Sequence, residues 1–146
     1  MAESMKALMV EKLNQAYTAE KQALENLPKL AQAATSPGLK QAFEAHLQET
    51  RQQVARLEQA GQQIGAPMQG APCEAMQGLA AEAERLIAEH RRGPLLDVVL
   101  VASTQAIEHH EIAAYGTMRT PARSSGTAWS PTCRSGRRRR RPPTRS

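Results

Sequence analysis

The sequence predicts an all-α fold, on three observations. Only 3 % of its 146 residues are aromatic, and Ala, Gln, Glu and Leu are abundant. That mixture favours helices and offers little to a sheet. Apolar residues recur at steps of three and four through several long stretches, as the buried face of a helix requires. Those stretches are separated by Ser, Gly and Pro at the positions where helices start and stop.

The first helix is expected over residues 4–34. Its stripe reads Met9, Leu13, Tyr17, Glu20, Leu24, Leu27 and Ala31. Glu20 takes a stripe position where an apolar residue belongs. Pro28 removes a backbone donor and is expected to kink or break the helix. Thr35-Ser36-Pro37 is a stop and restart, with Ser36 as N-cap and Pro37 at the first helical position. The second helix, over 37–64, carries Leu39, Ala42, His46, Glu49, Gln53, Leu57, Ala60 and Ile64 on its stripe, so polar groups interrupt it in the middle. A Gly- and Pro-containing loop follows at 65–72. A shorter helix is expected over 73–91, and a last one over 94–118 after Arg92-Gly93-Pro94.

The last helix holds the most informative stretch, Gln105 to Tyr115. It ends an apolar run yet carries Glu108 and Glu111, which are three residues apart and share one helical face. Thr104, Val101, Tyr115 and Met118 point the same way. Ionised carboxylates are costly to bury unless something positive meets them. If the first two helices form an antiparallel hairpin, the levels of Glu20 and Glu49 differ by roughly 3 Å at about 1.5 Å rise per residue. If the short helix travels back along the bundle, Glu108 joins the same layer, with His46 and Glu111 within a turn. Carboxylates and a histidine from facing helices are how helical bundles hold two iron or manganese ions. The same spacing also fits glutamates that face solvent or are satisfied by Tyr17, Tyr115 and Lys21. His109 and His110 read as surface residues or supports behind the ligands, and Cys73 as a small packed residue. No phosphate-binding loop, dinucleotide fingerprint or nucleophile elbow is present.

Size and charge bound the rest. The length suits one domain with a real core. No run of 18 apolar residues exists, so no membrane span is expected, and the N-terminus lacks the pattern of a secretory signal. Cys73 and Cys133 are far apart with no CxxC, so a reduced, cytoplasmic protein is expected. The net charge of +5 is unevenly spread. Residues 1–118 hold all 14 acids and 10 basic residues, a net of −4. Residues 119–146 hold 9 Arg and no acid, so the basic character belongs to the tail alone.

Four blocks together resemble a known family. They are Tyr17-Thr18-Ala19-Glu20-Lys21-Gln22, then Phe43 with His46-Leu47-Gln48-Glu49-Thr50, then Cys73-Glu74-Ala75-Met76-Gln77-Gly78-Leu79, then Glu108-His109-His110-Glu111 through Tyr115-Gly116-Thr117. In this order they are similar to the YciE/YciF family of ferritin-like bacterial stress proteins, over about residues 4–120. The resemblance implies a four-helix bundle with a short crossover helix, a cytoplasmic location and a di-metal centre of iron or manganese. It implies Glu20, His46, Glu49, Glu108 and Glu111 as ligands, with Tyr17, Gln53, His109 and Tyr115 around them. The histidine here precedes its glutamate, His46-x-x-Glu49, whereas the usual ferritin-like order is Glu-x-x-His.

The chain departs from the family after Thr120. The family continues into a fourth long helix, whereas Pro121 onward is rich in Arg, Pro and Ser and is expected to be disordered. Residues 1–120 are therefore read as a ferritin-like domain without its fourth bundle helix, and 121–146 as a tail. A change of reading frame, an Arg-rich arm that binds nucleic acid through phosphates and a neutral extension are three readings of that tail. A bundle lacking one wall exposes apolar faces, so a homo-oligomer is expected. Two functional classes stay open. One is a di-metal stress protein that binds iron or handles oxygen or peroxide. The other is a metal-free helical assembly protein whose polar layer sets packing register.

Overall fold

The structure, a computed structural model, describes residues 4–124, with side chains described as far as Arg119. It contains four helices: α1 (Met5–Ala33), α2 (Pro37–Gln63), α3 (Glu74–Glu89) and α4 (Pro94–Ser124). The expected disordered tail lies outside the described residues, apart from its first four positions. There the structure differs from expectation, because α4 runs on through Pro121 to Ser124 instead of ending near Met118. A proline this close to the end of a helix costs a single backbone hydrogen bond.

Local chemistry accounts for the boundaries. Ser4 Oγ accepts from the Ala7 amide at 3.1 Å and opens α1. Ser36 Oγ accepts from the Leu39 amide at 3.4 Å, with Pro37 as the first residue of α2. The expected break at Pro28 does not occur, and α1 is continuous across it. Pro28 lies on the exposed side of α1, where water can satisfy the carbonyl left without a donor.

Helix α1 is the spine, packing against α2, α3 and α4, while α3 also packs on α4. Being covered on three sides, α1 buries more than one stripe: Met9, Leu13, Ala16, Ala19, Glu20, Ala23, Leu27, Leu30 and Ala33. The centre of its face is one residue from the expected line at Ala16, Ala23 and Leu30, with Tyr17, Leu24 and Ala31 half-buried beside them. The same offset occurs on α2, where Phe43 and Thr50 are buried while Ala42 is exposed. One apolar cluster joins Leu27, Leu30, Phe43, Leu96 and Leu100 near the α1–α2 turn. A second joins Met9, Leu13, Leu57, Tyr115 and Met118 at the other end. The carboxylate layer lies between them.

Two polar clamps fix the register. Asp97, in the first turn of α4, accepts from the Thr35 amide at 2.7 Å, the Thr35 hydroxyl at 2.7 Å and the Ser36 amide at 2.9 Å. These bonds, the Thr35 amide foremost, hold its carboxyl below the usual range. The 64–73 loop is tied to α1 by Asn14 Oδ1, which accepts from the Gln69 and Gly70 amides at 2.9 and 3.0 Å. Thr18 Oγ1 accepts from the Ala71 amide beside it at 2.9 Å. Where this loop leaves α2, a Cβ on Gly61 would fall 2.7 Å from the Ala66 carbonyl oxygen, so only glycine fits.

Candidate metal centre

The polar layer is built from the helix faces just described. Glu20 lies one turn from Ala16 and Ala23 on the buried face of α1 and is 2 % exposed. It is inside because α1 is covered on three sides, and the periodicity that buries Leu13 and Leu27 carries Glu20 in with them. From α4, the Tyr115 hydroxyl donates to Glu20 Oε1 at 2.6 Å. Burial nonetheless raises the Glu20 carboxyl from 4.5 to about 7, with the Tyr115 bond offsetting part of the rise. Four residues before Tyr115, on the same face, Glu111 is pushed up to about 8 by burial and then by the charges of Glu20 and Glu108. Its Oε1 is buried without a hydrogen-bond partner among the described residues.

Helix α2 contributes His46. Its Nδ1 is 3.9 Å from Glu108 Oε1 and its Nε2 is 4.0 Å from Glu111 Oε2. These are ion-pair separations, longer than hydrogen bonds. Thr50 Oγ1 bonds back to the His46 carbonyl at 3.0 Å. Glu49 and Gln53 follow on α2 and are half-buried. Glu108 is the most accessible member, its side chain 47 % exposed. Among the described residues, no lysine or arginine forms an ion pair with Glu20, Glu108 or Glu111. The layer thus gathers Glu20, His46, Glu108, Glu111 and Tyr115 from three helices. Among the described residues, no three His, Cys, Asp or Glu side chains converge closely enough, as they stand, to hold one metal ion.

Two residues expected around the ligands point elsewhere. The Tyr17 hydroxyl donates to Glu58 Oε1 at 3.1 Å on an exposed part of the surface, with Lys21 Nζ 5.7 Å from the centre of the ring. His109 is exposed, and its Nδ1 lies 2.7 Å from the Gln105 carbonyl of its own helix. It lies about 100° around α4 from Glu108, which is enough to leave the interface. The clamp made by Asp97 was not foreseen; the only signal was an acid in the first turn after Gly93-Pro94. Also unforeseen was a contact between Cys73 Sγ and His110 Nε2, at 3.6 Å. Nothing in the spacing of residues so far apart marks them as neighbours.

No helix among the described residues is long and apolar enough to cross a membrane. Comparison with known proteins agrees with this architecture. The chain is 40 % identical to protein YciF of Escherichia coli over 115 residues, which span 78 % of this chain and 69 % of that protein. The crystal structure of that stress protein superposes with a TM-score of 0.79 at 36 % identity, covering 86 % of this chain and 79 % of that one. YcfI of Rhodopseudomonas palustris superposes with a TM-score of 0.84 at 37 % identity, covering 87 % and 81 %. The sequence profile of a domain of unknown function, DUF892, matches residues 4–132. With that profile spanning the helices and the fold shared with YciF, this all-α, ferritin-like chain belongs to the DUF892 family.

Proposed function

We propose that this protein acts in the bacterial stress response by holding iron or manganese in the layer formed by Glu20, His46, Glu108 and Glu111, with Glu49 of α2 as a further candidate ligand. One observation carries the reading. Glu20 is buried and Glu111 half-buried with its Oε1 enclosed, their carboxyls are raised to about 7 and about 8, and no lysine or arginine among the described residues pairs with them. Such a pair is short of positive charge, and a cation is the partner that removes the cost. Carboxylate oxygens with one imidazole suit iron and manganese. When bound, such ions would supply electron exchange with oxygen or peroxide. The chain's own part is to orient and to release protons. Tyr115 holds Glu20 by its hydroxyl, Thr50 braces the helix turn behind His46, and the raised carboxyls give up protons as the cation arrives.

The space beside the layer, between α2 and α4, bears on how firmly it binds. A groove of 430 Å³ runs between α2 and α4 past Phe43, His46, Thr104 and Glu108. Ferritin-like sites draw a Glu-x-x-His pair from a fourth helix, and the described residues contain three long helices and α3. Leu95, Val98, Val101 and Ile112 are exposed along α4, which supports a homo-oligomer. The test is anaerobic titration of the purified protein with Fe(II) and with Mn(II), followed by calorimetry and elemental analysis. Saturable binding that Glu20→Gln and Glu111→Gln each remove supports the proposal. A protein that stays empty would instead make the polar layer a device for packing register.

A further inference from the structure

A second group of side chains lies on another side of α4. Glu108 and Glu111 face α2 and α1, whereas Ile107 packs with Cys73, Met76 and Ala19 against α3. His110 follows Ile107 by three residues and meets Cys73 on that side. Cys73 is the residue before α3, is 9 % exposed and is a free thiol. Its Sγ lies 3.6 Å from His110 Nε2, within reach of a sulfur hydrogen bond. Both open onto a cavity of 230 Å³. Lys12, Gln15 and Thr117 line its polar part, and four alanines, Ala16, Ala19, Ala113 and Ala114, leave its space free. A thiol that merely fills a core has no basic partner and no cavity above it. This one has an imidazole in contact with it, a lysine on the cavity wall and room for a small polar molecule.

We propose that Cys73 is a peroxide-reactive thiol, oxidised to a sulfenic acid within this cavity. The sulfur attacks one oxygen of hydrogen peroxide, so that an S–O bond forms as the O–O bond breaks. The other oxygen leaves as hydroxide and takes up the thiol proton to give water. Sulfur is oxidised by two electrons, peroxide is reduced by two, and the products are Cys–SOH and water. His110 is a positioning residue: its Nε2 accepts the hydrogen bond from the thiol and holds the sulfur towards the cavity. The reaction needs neither Glu20 nor Glu111, so it stands apart from the metal reading.

The test uses the full chain carrying Cys133→Ser, because Cys133 lies outside the described residues. The protein is first treated with a chelator, which removes metal-borne oxidation. Hydrogen peroxide is then added with dimedone, and the labelled peptide is located by mass. The expected result is labelling at Cys73 about tenfold faster than on free cysteine, because the cavity holds peroxide against an oriented sulfur. Cys73→Ser should abolish it. His110→Ala should slow it, and imidazole added to that variant should restore the rate by entering the space left by the ring. Circular dichroism melts show whether each variant is folded. Labelling no faster than free cysteine in the folded protein overturns the proposal. So does an unchanged rate in His110→Ala, or slowing that imidazole does not reverse.

Discussion

Replacing the half-buried Glu111 by glutamine should make the metal-free protein more stable at pH 8, although the position is polar. Its carboxyl rises from 4.5 to about 8 in the fold, and that of Glu20 to about 7. A raised carboxyl binds its proton more tightly in the folded chain than in the unfolded one. Its stabilising contribution is therefore complete below the unfolded value and is lost as pH rises through the folded one. At about 1.4 kcal/mol per pH unit, ionising Glu20 alone costs on the order of 3 kcal/mol. The two contributions do not add, because the charge of Glu20 is part of what raises Glu111. For a domain of this size, about 3 kcal/mol corresponds to a Tm change on the order of 10 °C. The assay is thermal melting by circular dichroism, in chelator, from pH 4 to 9. The wild type should lose stability from about pH 4.5, the unfolded value, to about pH 8, and little beyond it. Glu111→Gln should flatten that loss and melt higher than the wild type at pH 8. In Mn(II) the order should reverse, with the wild type gaining and the variant not. A variant less stable than the wild type at pH 8 in chelator, with an unchanged pH slope, would refute the argument that buried charge dominates this layer.

Other perturbations follow from the same geometry. Tyr115→Phe removes the 2.6 Å bond to Glu20 and should lower chemical-denaturation stability by about 1–3 kcal/mol, the cost of leaving a buried acceptor unmet. Leu100→Ala, at a fully buried position beside Leu27 and Phe43, should cost about 2–5 kcal/mol by the same measurement. Asp97→Ala removes the clamp on Thr35 and Ser36 and should lower the Tm at pH 7. The Asp97 carboxyl is lowered, so its contribution is present above the unfolded value and lost as pH falls; the variant's melt should therefore vary less than the wild type's between pH 5 and 3.

How much of this protein was legible before folding is best judged residue by residue. The four helices and most of their limits follow from local chemistry. Ser4 and Ser36 cap, Pro37 and Pro94 open helices, and three- and four-residue steps mark the faces. That Glu20 sits on a face needed inside also follows, because a charge in an apolar period is visible in one dimension. The four sequence blocks carried the family, since the order and spacing of residues survive without coordinates.

What only the tertiary structure decided is rotation and partnership. A helix turned by one residue moves its face about 100°, and periodicity alone does not distinguish Ala16 from Tyr17 or Phe43 from Ala42 as its centre. That choice is made by docking, which sets α1 against three neighbours and so decides which residues each helix turns inward. The pairings of Glu20 with Tyr115, Asp97 with Thr35 and Cys73 with His110 join residues 95, 62 and 37 positions apart. Such contacts exist only after the helices dock, because nothing in the chain between two residues so distant encodes their separation in space. The raised carboxyls belong to the same class. An acid's sequence neighbours do not desolvate it, and burial between α1, α2 and α4 does.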